Sequence, residues 1–165
     1  MNQSSAGVLC LVTLFIVGAT SQVRGQSTAI PPAFVPVCDL TQLNRAYVAE
    51  LNHQRSLVNP KAEIARVDAS MLPGTVLFNS VLQQRDSLFH DRSHLYVEMV
   101  GMSSDLRPQS ANPKQLAQYI YQCFAQSVSG HCEAQADSTL RYVAISCGQN
   151  CFVVRLHTCS TSRTK

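Results

Sequence analysis

The chain has 165 residues, with 13 Lys and Arg against 10 Asp and Glu, a net charge of +3 and only 14% charged residues. So mild and scattered an excess, paired only at Arg163 and Lys165 in the tail, excludes a nucleic-acid footprint. No low-complexity block or internal repeat is visible, and the length suits one domain with an ordinary hydrophobic core.

The first element is the uncharged apolar run from Val8 to Val17. It is shorter than the roughly 20 residues a membrane-spanning helix needs, and it reads as the core of a secretory leader. Small residues at Ala19-Thr20-Ser21 predict cleavage after residue 21, with a second site as late as residue 25. The mature protein is then expected to be extracellular, without a membrane span and monomeric. Its organisation reads as an extended lead-in over 22–38, one domain over 39–159 and a short tail over 160–165. The sequon Asn2-Gln3-Ser4 leaves with the leader.

Cleavage removes Cys10 and leaves six cysteines: Cys38, Cys123, Cys132, Cys147, Cys151 and Cys159. An even set in a small exported chain implies disulfides, although spacing alone does not give the pairing. If all pair, Cys38 reaches one of the five C-terminal cysteines. The chain-entropy model assigns so long a closure about 4–5 kcal/mol.

Asp39 or Thr41 is placed to cap a first helix in which Leu40, Leu43, Tyr47, Val48 and Leu51 recur at helical spacing. Asn59-Pro60 ends it, because the residue before proline is pushed out of the α region. Pro73-Gly74 marks a turn, and Leu77, Val81, Leu82, Leu88 and Phe89 suggest a second helix beyond it. From Leu95 to Val100 the period becomes that of a strand. Ser103 to Asn112 reads as a loop. Asn112-Pro113 then opens a third helix through Leu116, Tyr119, Ile120, Cys123 and Phe124, closed by Gly130. Strands over Leu140–Ser146 and Cys151–His157 form a hairpin across Gly148-Gln149-Asn150. This order predicts an α+β fold, an α-β-α sandwich with a small antiparallel sheet of about three strands covered by helices.

Several of these pieces are similar to those of the CAP superfamily of cysteine-rich secretory, antigen 5 and pathogenesis-related proteins. Tyr47 to Arg55 resembles its helix carrying an Asn and a following Arg. Leu77-Phe78-Asn79-Ser80-Val81-Leu82 resembles its Leu-x-Trp-Asp/Asn-x-x-Leu start. Phe89-His90 followed by Tyr96-Val97-Glu98-Met99 resembles its His and Gly-Glu-Asn. Gly130-His131, Cys147-Gly148 and Cys151-Phe152-Val153-Val154 resemble its closing motifs. The likeness runs from Leu40 to Cys159. Where the family has a Trp-x-x-Glu helix, this chain has Gln122-Cys123-Phe124-Ala125-Gln126.

The resemblance implies that His90, Glu98 and His131 match three of the four residues lining the family's central cleft, with Gln126 or Gln122 replacing the fourth, a Glu. Two imidazoles and a carboxylate suit a divalent metal, so a weak zinc site is expected there. Catalytic residues are not expected. A Cys-His nucleophile needs a spare thiolate, nothing fixes the separation of Glu98, Glu133 and Asp137, and the His90/His94 pair lacks the Glu of the metalloprotease motif. The function implied is a secreted, non-catalytic binding protein with a lipid, sterol or extracellular protein as ligand. Beside it stand a disulfide-stapled secreted effector or protease inhibitor and, third, a zinc-dependent hydrolase.

Overall fold

A computed structural model describes residues 34–91 and 96–158. The leader, His94 and Cys159 lie outside the described residues. In chain order the elements are α1 (Leu40–Val58), β1 (Arg66–Val67), α2 (Leu72–Arg85), β2 (Val97–Met102), α3 (Leu106–Gln109), α4 (Pro113–Ala125), α5 (His131–Ala136), β3 (Tyr142–Cys147) and β4 (Cys151–His157). Among the described residues no helix is long and apolar enough to cross a membrane.

Asp39 starts α1: from an extended backbone its carboxylate accepts from the N–H groups of Thr41 and Gln42 at 2.7 and 3.1 Å, satisfying donors that an uncapped helix leaves orphaned. Leu43, Tyr47, Val48 and Leu51 form the buried stripe, as their spacing predicts, and Asn59 ends the helix in an extended conformation. Asn112 caps α4 in the same way, receiving Lys114 N–H at 2.9 Å, and Leu116, Ile120, Cys123 and Phe124 are buried.

The sheet has the order β1-β3-β4-β2. β3 and β4 form the expected antiparallel hairpin, and β2 lies antiparallel to β4 from Val97 opposite Leu156 to Met102 opposite Cys151. Side-chain alternation divides the core. Met99, Val143, Ile145, Cys147, Phe152, Val154 and Leu156 pack with residues of α1 and α4, while Val100, Cys151 and Val153 pack with Phe78 and Leu82 of α2. Helices therefore cover both faces, and the fold is the α-β-α sandwich that the element order predicts.

The sheet differs from expectation in having a fourth strand. β1 runs parallel to β3 for two residues, too few to show an alternating pattern. Where β1 stops, Asn44 takes over the pairing role. Its side chain accepts from Ile145 N–H at 2.9 Å and donates to Ile145 C=O at 2.8 Å, so both backbone groups of a buried strand residue are satisfied. On the other face Asn79 donates to Ser146 C=O at 3.1 Å and Cys151 C=O at 3.2 Å. These two amides fix α1 and α2 to the sheet.

Four local expectations are corrected. Pro73 and Gly74 lie inside the first turn of α2, where proline's missing N–H costs nothing. The buried face of α2 runs through Thr75, Phe78, Asn79 and Leu82, with Leu77 exposed. Gly130 does not close α4, which ends at Ala125; it precedes α5 with φ of 85°, a backbone that glycine adopts without strain. The loop over Ser103 to Asn112 also contains the short α3.

Gly101 shows how tightly the layers meet. A Cβ there would stand 2.3 Å from the ring of Phe152, which sits directly across β4 and packs edge-on against Phe124 at 5.2 Å. Gly101→Ala is expected to lower unfolding free energy by about 2–3 kcal/mol. Urea denaturation measures the loss, and Phe152→Leu in the same background should recover part of it.

Candidate functional site

The register of β2 against β4 sets Glu98 opposite Arg155, on the face covered by α2. Arg155 is an almost fully buried cation: its side chain is 4% exposed, and Glu98 is 6% exposed. Its Nε donates to Glu98 Oε2 and its Nη2 to Asp91 Oδ2, each at 2.8 Å. The guanidinium also stacks 5.1 Å from the ring centroids of both Phe78 and Tyr96, an arrangement that suits the planar, weakly hydrated arginine head. Asp91 N–H donates to Glu98 Oε1 at 2.8 Å, and His90 Nδ1 lies 3.5 Å from the same oxygen. Both Glu98 oxygens are thus engaged.

His131 opens α5 and is 5% exposed, with its ring edge-on to Phe124 at 4.9 Å. Among the described residues its Nδ1 has no hydrogen-bond partner. Burial first, then the charge of nearby His90, push its pKa down to about 4, with Glu133 opposing. Of the three predicted positions, His90 meets Glu98 directly, while His131 packs against Phe124 of the α1 and α4 layer and, among the described residues, makes no hydrogen bond or ion pair to Glu98.

They do not make the expected zinc centre. Among the described residues no three His, Cys, Asp or Glu side chains gather as metal ligands. The physical reason is Arg155, whose guanidinium holds the carboxylate that a metal would need. Gln122 and Gln126 are exposed at the end of α4. Of the other acids considered, Asp137 ends α5 and accepts from Thr139 N–H and Oγ at 2.9 and 2.7 Å; those bonds hold its carboxyl below the usual range.

No disulfide joins Cys38, Cys123, Cys132, Cys147 and Cys151 to one another. Cys147 pairs across the hairpin with Phe152 and shares its face, so the adjacent Cys151 points to the opposite face and packs under α2. The hairpin cysteines are directed away from each other.

A second polar cluster lies at the far end of α1. Arg55, 5% exposed, donates to the carbonyls of Gln135 at 2.7 Å, Leu140 at 3.1 Å and Asp137 at 2.6 Å. It borders a small cleft of about 70 Å³ lined by Gln54, Val58, Ala62 and Tyr121. Val58, which lines it, and Leu57 and Ile64 are exposed.

Sequence reasoning missed Arg155, Asp91, Phe78 and Tyr96 as partners. One signal was present: an arginine inside the apolar run Cys151–Leu156 must find a buried carboxylate or distort the strand.

His131 has a pH consequence. Its folded pKa lies below the ordinary value of 6.5, so the unfolded chain takes up the proton first. Stability from this group is complete above pH 6.5 and is lost as pH falls toward 4, by about 2–3 kcal/mol. Urea midpoints at pH 7.5 and pH 5 should therefore fall further for the native chain than for His131→Asn. Against protein-family models, curated proteins and solved structures, the chain has no match.

Proposed function

We propose that the chain is an exported, non-catalytic binding protein of CAP-like architecture, with an extracellular lipid, sterol or protein as its ligand. The observation that carries this reading is the ion-paired node Glu98–Arg155–Asp91, which engages Glu98, one of the positions that the family resemblance assigns to a cleft. A carboxylate neutralised by arginine on one oxygen and hydrogen-bonded on the other is a poor general base. His131, kept neutral by burial, adds no charge. The same groups are well suited to hold β2, β4 and the segment before β2 in one rigid arrangement.

A contact surface is available elsewhere. Leu57 and Val58 of α1 and Ile64 before β1 are 66%, 86% and 68% exposed, three large apolar side chains within eight residues of the chain, and exposed apolar side chains are the material of interaction surfaces.

The test uses the secreted full-length gene product. It is titrated with phosphatidylcholine vesicles with and without sterol, and incubated with ester, peptide and glycoside substrates. Vesicle binding that Leu57→Ser/Val58→Ser/Ile64→Ser abolishes supports the lipid arm; binding only to an extracellular protein, lost in the same variant, supports the protein arm. Turnover of any substrate that Glu98→Gln abolishes would overturn the non-catalytic reading.

A further inference from the structure

We propose that Cys38 and Cys147 form a disulfide in the oxidised protein, fastening the entry to α1 onto the end of β3. The inference rests on the export reading for its oxidising setting, and on backbone geometry for the choice of partner.

Val37 N–H donates to Cys147 C=O at 3.2 Å, which lays the segment carrying Cys38 alongside the last residue of β3. Cys38 packs against the same core cluster that contains Cys147. Each thiol makes only a long local contact, Cys38 Sγ to Asp39 C=O at 3.8 Å and Cys147 Sγ to Gly148 C=O at 3.7 Å, so little opposes rotation of either toward the other. Cys151 is excluded as a partner for Cys147 because it packs under α2 on the other face. Cys123 is engaged with Tyr119 on α4, and Cys132 sits on α5 near Tyr121.

The chemistry is thiol–disulfide exchange with an external disulfide such as glutathione disulfide. Half-buried Cys38 loses its proton and attacks one sulfur of that disulfide, whose bond breaks to release the first glutathione thiolate. Cys147, once deprotonated, attacks Cys38 Sγ, forming the new S–S bond and releasing the second. The released thiolates take up the two protons, and the two electrons lost by the cysteines reduce the external disulfide. Because Cys147 is fully buried, the second step needs local opening and is the slower one.

The experiment maps disulfides in the secreted protein after alkylation of free thiols and tryptic digestion without reduction. The expected product links the peptide ending at Arg45 to the peptide Tyr142–Arg155. Since the latter carries both Cys147 and Cys151, fragmentation must place the link on Cys147. Alkylated Cys38, or a link from Cys38 to any other cysteine, overturns the proposal. Cys38→Ala, Cys147→Ala and the double variant should each lower Tm by the same amount, roughly 10 °C, because one bridge is lost in all three. Additive losses would count against it. If the variants do not fold, the map of the native chain decides. If the native chain is retained in the cell, export fails as a reading. The same map after equilibration with glutathione and its disulfide then still decides the pairing.

Discussion

Arg155→Met is expected to lower unfolding free energy by about 3–5 kcal/mol, the range for breaking one side of a buried ion pair. Methionine keeps an apolar stem between Phe78 and Tyr96 but leaves Glu98, 6% exposed, without its guanidinium. In a domain of this size the change corresponds to a fall in Tm of roughly 10–15 °C. The loss should be mostly the penalty of an unpaired carboxylate rather than of missing packing. Arg155→Met combined with Glu98→Leu should therefore regain at least about 2 kcal/mol over Arg155→Met alone. A loss below about 1 kcal/mol for the single variant would mean that the pair is solvated and the node is not closed.

Arg55→Met carries the second large effect, about 3 kcal/mol. Its guanidinium donates to three carbonyls from the end of α5 and the approach to β3, groups that no regular element satisfies. Removing it leaves those acceptors short and loosens α5 on α1, where the bond from Gln135 Nε2 to Tyr47 Oη at 3.0 Å remains. Hydrogen exchange should accelerate over His131–Ala136 far more than over β4, since α5 is a short helix with few other ties. Arg55→Lys should recover little, because a single ammonium cannot reproduce a planar fork reaching three acceptors. Uniform acceleration across the sheet, or full rescue by Lys, would contradict this account.

Helix and strand order was legible in the sequence because local signals agreed with the fold. Asp39 and Asn112 are caps, Asn59-Pro60 is a stop, and the closing hairpin carries turn residues between two apolar runs. The resemblance to CAP proteins is a reading of motifs. What was not legible depends on strand pairing. Glu98 and Arg155 are 57 residues apart and meet only because β2 aligns with β4 in one particular register; shifting by one residue would turn Glu98 to the other face. For the same reason Cys147 and Cys151, close in sequence, diverge in space. Asn44 and Asn79 read as ordinary polar helix positions. Their work is to satisfy strand backbone, which no helical periodicity reports. β1 is invisible because two residues carry no period.

Arg155 draws Glu98, one of the predicted cleft residues, into an ion-paired node in place of a metal centre. Calorimetric titration of the secreted protein with zinc at pH 7.5 tests it most directly, with His90→Ala and His131→Ala as controls. No saturable one-to-one heat is expected in any of the three proteins. A saturable isotherm for the native chain that both alanine variants abolish would contradict it.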